Sequence, residues 1–213
     1  MTLRTLSLTA TALSLFAFGC SDAPARPAKV GLYVRLSNPE PTVPEAMGKS
    51  CPASSGIEWD LGKAVKVDGR VIDVESPSPT DFGTTLENKK SDAEIKCTVR
   101  KNGTFVATGG GLDPQITPPN GRITFTFAGT AKPNGTPATN TMTTTLYTPV
   151  SLGIQTAPDF PECIVTAVHE QAPGALWADF DCPALTQNGN PSVACHASGT
   201  MVFEYCKTGE EEE

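Results

Sequence analysis

The sequence is poor in the residues that carry most enzymatic chemistry. It has only two histidines, His169 and His196, in 213 residues. A serine or cysteine hydrolase would need one of them beside a nucleophile and an orienting carboxylate. No G-x-S-x-G elbow and no H-E-x-x-H pair occurs, and Gly109-Gly110-Gly111 lacks the Gly-Lys-Ser/Thr that would complete a phosphate loop. Charge is scarce too, at 18% of residues, against about 25% in ordinary domains. The formal balance is −7, and loss of Arg4 with a leader would make it −8. Such a balance leaves no electrostatic footprint for nucleic acid, and it opposes binding to anionic membrane surfaces. Long apolar runs are missing as well. The longest uncharged stretch near the start, Thr5 to Gly19, is 15 residues, shorter than the roughly 20 needed to cross a bilayer as a helix.

Glycine and proline are plentiful, at 19 residues each, about 18% of the chain against roughly 12% in average usage. With 38% hydrophobic residues, this composition fits a folded, turn-rich exported domain rather than disorder. Arg4 is the only charge before Asp22, and the apolar stretch after it has the length of a signal-peptide core. Residues 1–19 therefore read as a cleaved leader. At Ala17-Phe18-Gly19-Cys20 the chain resembles the lipobox of bacterial lipoproteins, in which signal peptidase II cuts before a cysteine that carries lipid, palmitate among its acyl chains. Ala17 stands where Leu is common, and Phe18 is bulky for its place. The resemblance implies that Cys20 is the mature N-terminus and that a membrane is reached through its lipid. Ser21, by the sorting rule of enterobacterial lipoproteins, implies the outer membrane of the cell envelope. Residues 20–29, with Pro24 and Pro27 and no apolar period, read as an extended tether of roughly 25–30 Å.

With Cys20 used, six cysteines remain: Cys51, Cys97, Cys163, Cys182, Cys195 and Cys206. An even set in an exported chain implies disulfides, and no C-x-x-C spacing supports a metal or redox motif. Pro183 and the run Gln187 to Pro191 look turn-like, so Cys182 is expected to face Cys195 across a loop. Antiparallel strands beginning at Cys163 and ending at Cys206 would join those two, leaving Cys51 with Cys97.

Alternation with period two dominates the rest. Val30, Leu32, Val34 and Leu36 share one face of a first strand. Val65, Val67, Ile72 and Val74 align across an Asp68-Gly69 hairpin turn. The run 94–100 pairs with 104–108 across Lys101-Asn102-Gly103; a left-handed Gly103 in a three-residue loop sets Phe105 opposite Val99. Further strands are expected near 122–127, 139–148, 162–168, 175–181 and 199–206. About ten short strands with no long amphipathic helix predict an all-β, disulfide-stapled fold: a two-sheet antiparallel sandwich, of which the jelly roll is one form, over residues 30–207. Glu210 to Glu213 close a solvated, disordered acidic tail over 208–213.

The most suggestive short feature is Trp177, Asp179 and Asp181, which alternation places on the face of one strand opposite Leu176, Ala178 and Phe180. An indole beside two acids suits a sugar. Calcium needs six to eight oxygens, and no D-x-D-x-D-G loop supplies them, so neither a metal nor a cofactor is expected. Thr139, Thr141, Thr143 and Thr145 form a second polar row, read as a solvent-facing strand. The segments Ala175 to Cys182, Cys195 and Gly199 to Cys206 resemble uncharacterised disulfide-bonded lipoproteins of myxobacteria, which implies no activity. The expectation is a non-enzymatic, lipid-anchored envelope module that binds a partner or serves structure. The alternative is a carbohydrate-binding or carbohydrate-active sandwich whose partner is a glycan rather than an envelope protein.

Overall fold

The computed structural model describes residues 26–52, 58–61, 86–87, 94–112, 122–147 and 153–209. The leader over 1–19, Cys20, most of the tether, the Val65–Val74 hairpin and the tail from Glu210 lie outside the described residues. Eleven strands run through the described residues: β1 Lys29–Ser37, β2 Glu58–Leu61, β3 Leu86–Glu87, β4 Glu94–Val99, β5 Thr104–Leu112, β6 Arg122–Thr130, β7 Thr141–Tyr147, β8 Gly153–Gln155, β9 Cys163–Ala172, β10 Ala175–Gln187 and β11 Asn190–Glu204. A single 3-10 turn, Pro44–Ala46, is the one helical element among them. The fold is all-β, as the alternation predicts.

These strands form one hydrogen-bonded antiparallel sheet in the order β2-β1-β11-β10-β8-β7-β6-β5-β4, with β3 beside β1 and β9 beside both β10 and β7. The strands β7, β8, β10 and β9 close a ring. Its origin is local: β8 and β9 run along the same pair of neighbours, interrupted where residues 156–162 leave the sheet. Pro158 and Pro161 lie in that excursion and have no N–H to give a ladder. Phe160 turns instead into a small apolar cluster with Val43, Ala46, Ala184 and Ala194.

The sheet curls so that its inner faces meet. Phe203 of β11 packs on Phe105 of β5 and on Phe125 and Phe127 of β6, with ring centroids 6.4 Å apart in each case, while Phe180 of β10 lies 5.5 Å from Phe127. Phe105, Phe127, Phe180 and Phe203 are fully buried, and each side chain contributes about 1.5–3 kcal/mol of burial. Closure is completed by backbone bonds at the far strand. Lys207 bridges Thr98 in parallel, the Val99 amide donates to the Lys207 carbonyl, and the Gly174 amide donates to the Val99 carbonyl.

Several local expectations hold and others need correction. Val99 pairs with Phe105, Gly103 takes φ 85°, and a side chain there would overlap the Ala131 carbonyl. In β1 the inward set Val30, Leu32, Val34 and Leu36 is buried, but Gly31 and Tyr33 on the other face are buried as well, because the outer face is partly covered. Residues 183–194 are not a loop: β10 and β11 continue toward each other and meet at Asn188-Gly189, where Gly189 takes φ 79°.

All six cysteines are bonded, but in pairs other than those expected: Cys51–Cys195, Cys97–Cys206 and Cys163–Cys182. Strand order explains each difference. The strand β10 lies between β9 and β11 and sets Asp181 opposite Ile164, which brings Cys182 beside Cys163. On β11 the residue opposite Cys182 is Ala197, while Cys195 lies beyond the irregularity, opposite Leu185, so Cys182 and Cys195 do not face each other. Cys206 follows β11 to the edge of β4, where Cys97 waits, and Ser50 bridges Val193 so that Cys51 reaches Cys195.

Candidate functional site

The site is the outer face of β9, β10, β11 and β1. Its position follows from alternation: Leu176, Ala178 and Phe180 enter the core, so Trp177, Asp179 and Asp181 must stand on the opposite face, and they do. The cross-strand registers then choose their neighbours. Asp179 lies opposite Thr200 and Asp181 opposite Ser198 on β11, while on β9 His169 is the extra residue at the register shift opposite Trp177 and Ala178.

Each acid takes one of the two histidines. His169 Nε2 is 2.7 Å from Asp179 Oδ2, and the fully buried Thr200 hydroxyl donates to Asp179 Oδ1 at 2.7 Å. The His169 ring also lies 4.5 Å from the Trp177 ring. Trp177 packs with Tyr33 and Val202 in an apolar cluster separate from the main core. Its indole N–H is buried without a hydrogen-bond partner among the described residues. The indole therefore covers the outer sheet, and its neighbours limit stacking by a ligand.

The second acid anchors a longer series. His196 Nε2 is 2.7 Å from Asp181 Oδ1, and its Nδ1 is 3.2 Å from the Ser37 hydroxyl. Serine, histidine and aspartate thus stand in one hydrogen-bonded row, a grouping that the sequence reading did not bring together. The register Ser37↔His196 between β1 and β11 is what creates it. The hydrogen bond to Asp181 raises the pKa of His196 above the ordinary 6.5, burial opposes the rise, and the charges of Asp181 and Glu40 add to it against Arg35. A protonated ring donates from both nitrogens and cannot accept the Ser37 proton.

Between these groups lies a depression of ≈ 410 Å³ lined by Tyr33, Arg35, Thr166, Asp179, Asp181 and Ser198, among others. Gly199 contributes at its floor; a Cβ there would overlap the Tyr33 carbonyl oxygen, so the glycine lets β1 lie close to β11. A larger depression of ≈ 490 Å³ beside the 156–162 excursion is lined mainly by small, apolar and threonine side chains, with Glu162 its one charged group. The smaller one holds two acids, a guanidinium and several hydroxyls, and is the better candidate for polar recognition. Among the described residues, no cluster of three or more His, Cys, Asp or Glu side chains is placed to hold a metal ion.

Tyr33, Arg35, Ser37, Thr200, His169 and His196 complete a site of which the sequence pattern marked only Trp177, Asp179 and Asp181. The Pro173-Gly174 pair was a signal for β9 beside β10, but an unbroken ladder from that turn would set His169 opposite the inward Ala178, and nothing in the sequence marks the shift at His169 that brings it to Asp179. Nothing comparable marks Ser37, whose place depends on β1 returning to pair with the last strand. No protein-family model, no curated protein and no solved structure matches the chain.

Proposed function

We propose that this chain is a lipid-anchored module of the bacterial cell envelope that binds a polar partner, without catalysis, through the outer face of β9, β10, β11 and β1. The observation that carries the reading is the ≈ 410 Å³ depression in which Asp179, Asp181, Arg35 and Ser198 converge on a sheet stapled by three disulfides. The three disulfides support a reading in which the chain folds in an oxidising compartment, in keeping with the leader and the Cys20 lipobox. The curled sheet is read as a sandwich-like scaffold, with β1, β11 and β10 in one layer and β4, β5 and β6 in the other.

Carbohydrate is the second reading, favoured by carboxylates and hydroxyls around one depression, which suit sugar hydroxyls. The sugar would sit against Tyr33, Arg35 and the acids rather than stack on Trp177. The test is a glycan array probed with the whole mature protein, followed by titration of any hit against Asp181→Asn. A glycan whose binding weakens at least about tenfold in the variant supports the sugar reading, since loss of a charged hydrogen bond costs about 1.5–3 kcal/mol. No bound glycan leaves an envelope protein as the partner. The anchor is tested separately by the mass of the mature N-terminal peptide, expected to begin at an acylated Cys20. An unmodified N-terminus downstream of Cys20 would remove the lipoprotein reading.

A further inference from the structure

The net charge of the chain hides an uneven distribution. Six cations gather at one end of the sheet: Arg26 and Lys29 at the start of β1, Lys207 just beyond β11, Arg100 and Lys101 in the β4–β5 hairpin, and Lys132 after β6. The contacts tie these points together. Arg26 donates to the Tyr205 hydroxyl, and Lys29 lies 5.4 Å from the Tyr205 ring centroid. Lys207 bridges Thr98, two residues before Arg100, and the Lys132 side chain stands against Gly103 of the hairpin. Five of the six are exposed and Lys29 is half-buried. None of them forms an ion pair among the described residues. Tyr205, at the centre of the group, is 39% exposed and takes φ 55°, a conformation that costs a non-glycine residue energy. An exposed tyrosine among lysines and arginines is the composition of a membrane-interface surface.

We propose that this basic pole rests on the bilayer and binds the phosphate groups of anionic phospholipids. Proximity rests on the lipid-anchor reading: Cys20 is six residues before Arg26, so a lipid there holds the pole within roughly 20 Å of the headgroups even with the tether fully extended. Local charge decides the contact at that range, because attraction falls off within about 10 Å at ordinary salt; Glu204 and Glu87 stand opposite Lys29 in the ladders on either side of β1 and offset part of the cationic charge. The overall negative balance, −7 for the whole sequence and −8 once Arg4 is lost with the leader, then repels the rest of the domain from the membrane and orients it, pole down.

The test is amine acylation of the whole mature protein on vesicles, read lysine by lysine by mass spectrometry. On phosphatidylcholine vesicles containing about 30% phosphatidylglycerol, Lys29, Lys101, Lys132 and Lys207 should be modified several-fold more slowly than on phosphatidylcholine alone, while Lys49 and Lys96 keep their rates. The protection should disappear near 0.5 M salt, where the screening length is only about 4 Å. In the Lys101→Glu, Lys132→Glu, Lys207→Glu variant, with its three disulfides confirmed, the rate at Lys29 should return to within about twofold of its value on phosphatidylcholine alone. Glu210–Glu213 follow the pole in sequence, so the measurement is repeated with them deleted to remove competing carboxylates. Equal rates on both vesicle types, with and without that deletion, would overturn the proposal. The N-terminal peptide in the same digests reports the Cys20 lipid, so loss of the anchor reading and failure of the pole are told apart.

Discussion

At the scale of single residues, the outer face is held by charge-assisted hydrogen bonds that can be tested one at a time. His196 has a raised pKa because Asp181 accepts from it. A group whose folded pKa lies above its unfolded value stabilises fully below the unfolded pKa, and that contribution is lost as pH rises through the folded pKa. The urea midpoint of the wild-type protein should therefore include a component that declines above about pH 6.5. In His196→Gln that component should vanish, leaving a shallower decline over the same window. An identical decline in the variant would show that His196 is not its source. Thr200 offers an independent test, since its fully buried hydroxyl donates to Asp179 at 2.7 Å. Thr200→Val keeps the shape and leaves one carboxylate oxygen without that donor, and equilibrium unfolding should show a loss of about 1–3 kcal/mol.

At the scale of elements, what could be read in the sequence was whatever a strand decides by itself. Alternation assigned the two faces of β10 correctly, and Gly103 fixed the β4–β5 loop, because both depend on neighbours a few residues away. The cysteine pairs and the Asp181–His196–Ser37 row depend on which strands lie side by side. No local pattern reports that β10 separates β9 from β11 or that β1 pairs with the last strand. The strands β10 and β11 are longer than the sequence pattern predicts for a related reason: Pro183 and Pro191 read as breakers, yet β10 accommodates Pro183 at its irregularity and β11 places Pro191 near its start. The bridge between β9 and β10 gives an element-level prediction. Its cysteines are 19 residues apart, so loop-closure entropy assigns it about 3 kcal/mol. The double variant Cys163→Ala, Cys182→Ala should lose roughly that much in denaturant unfolding and keep the other two bridges. A loss below about 1 kcal/mol would mean that the strand ladder alone holds the pair together.

At the scale of the whole molecule, the bridges Cys51–Cys195 and Cys97–Cys206 span 144 and 109 residues and join earlier parts of the chain to its last strand and to the residues just beyond it. Peptide mapping without reduction should return these two pairs and Cys163–Cys182, and titration in denaturant should find no reactive thiol among the six. A Cys51–Cys97 peptide would contradict the strand order itself. The pairing of β1 with β11 has a mechanical consequence. Its nine registered pairs run from Lys29↔Glu204 to Ser37↔His196, with the tether at the first of them and the Ser37–His196–Asp181 row at the last. A pull on the residues preceding Lys29, resisted by a partner held at that row, runs along β1 and loads its hydrogen bonds in shear. Bonds in shear must yield together, whereas a load across the strand would open them one by one, so the domain is built to bear tension along the line joining its tether to its candidate binding face.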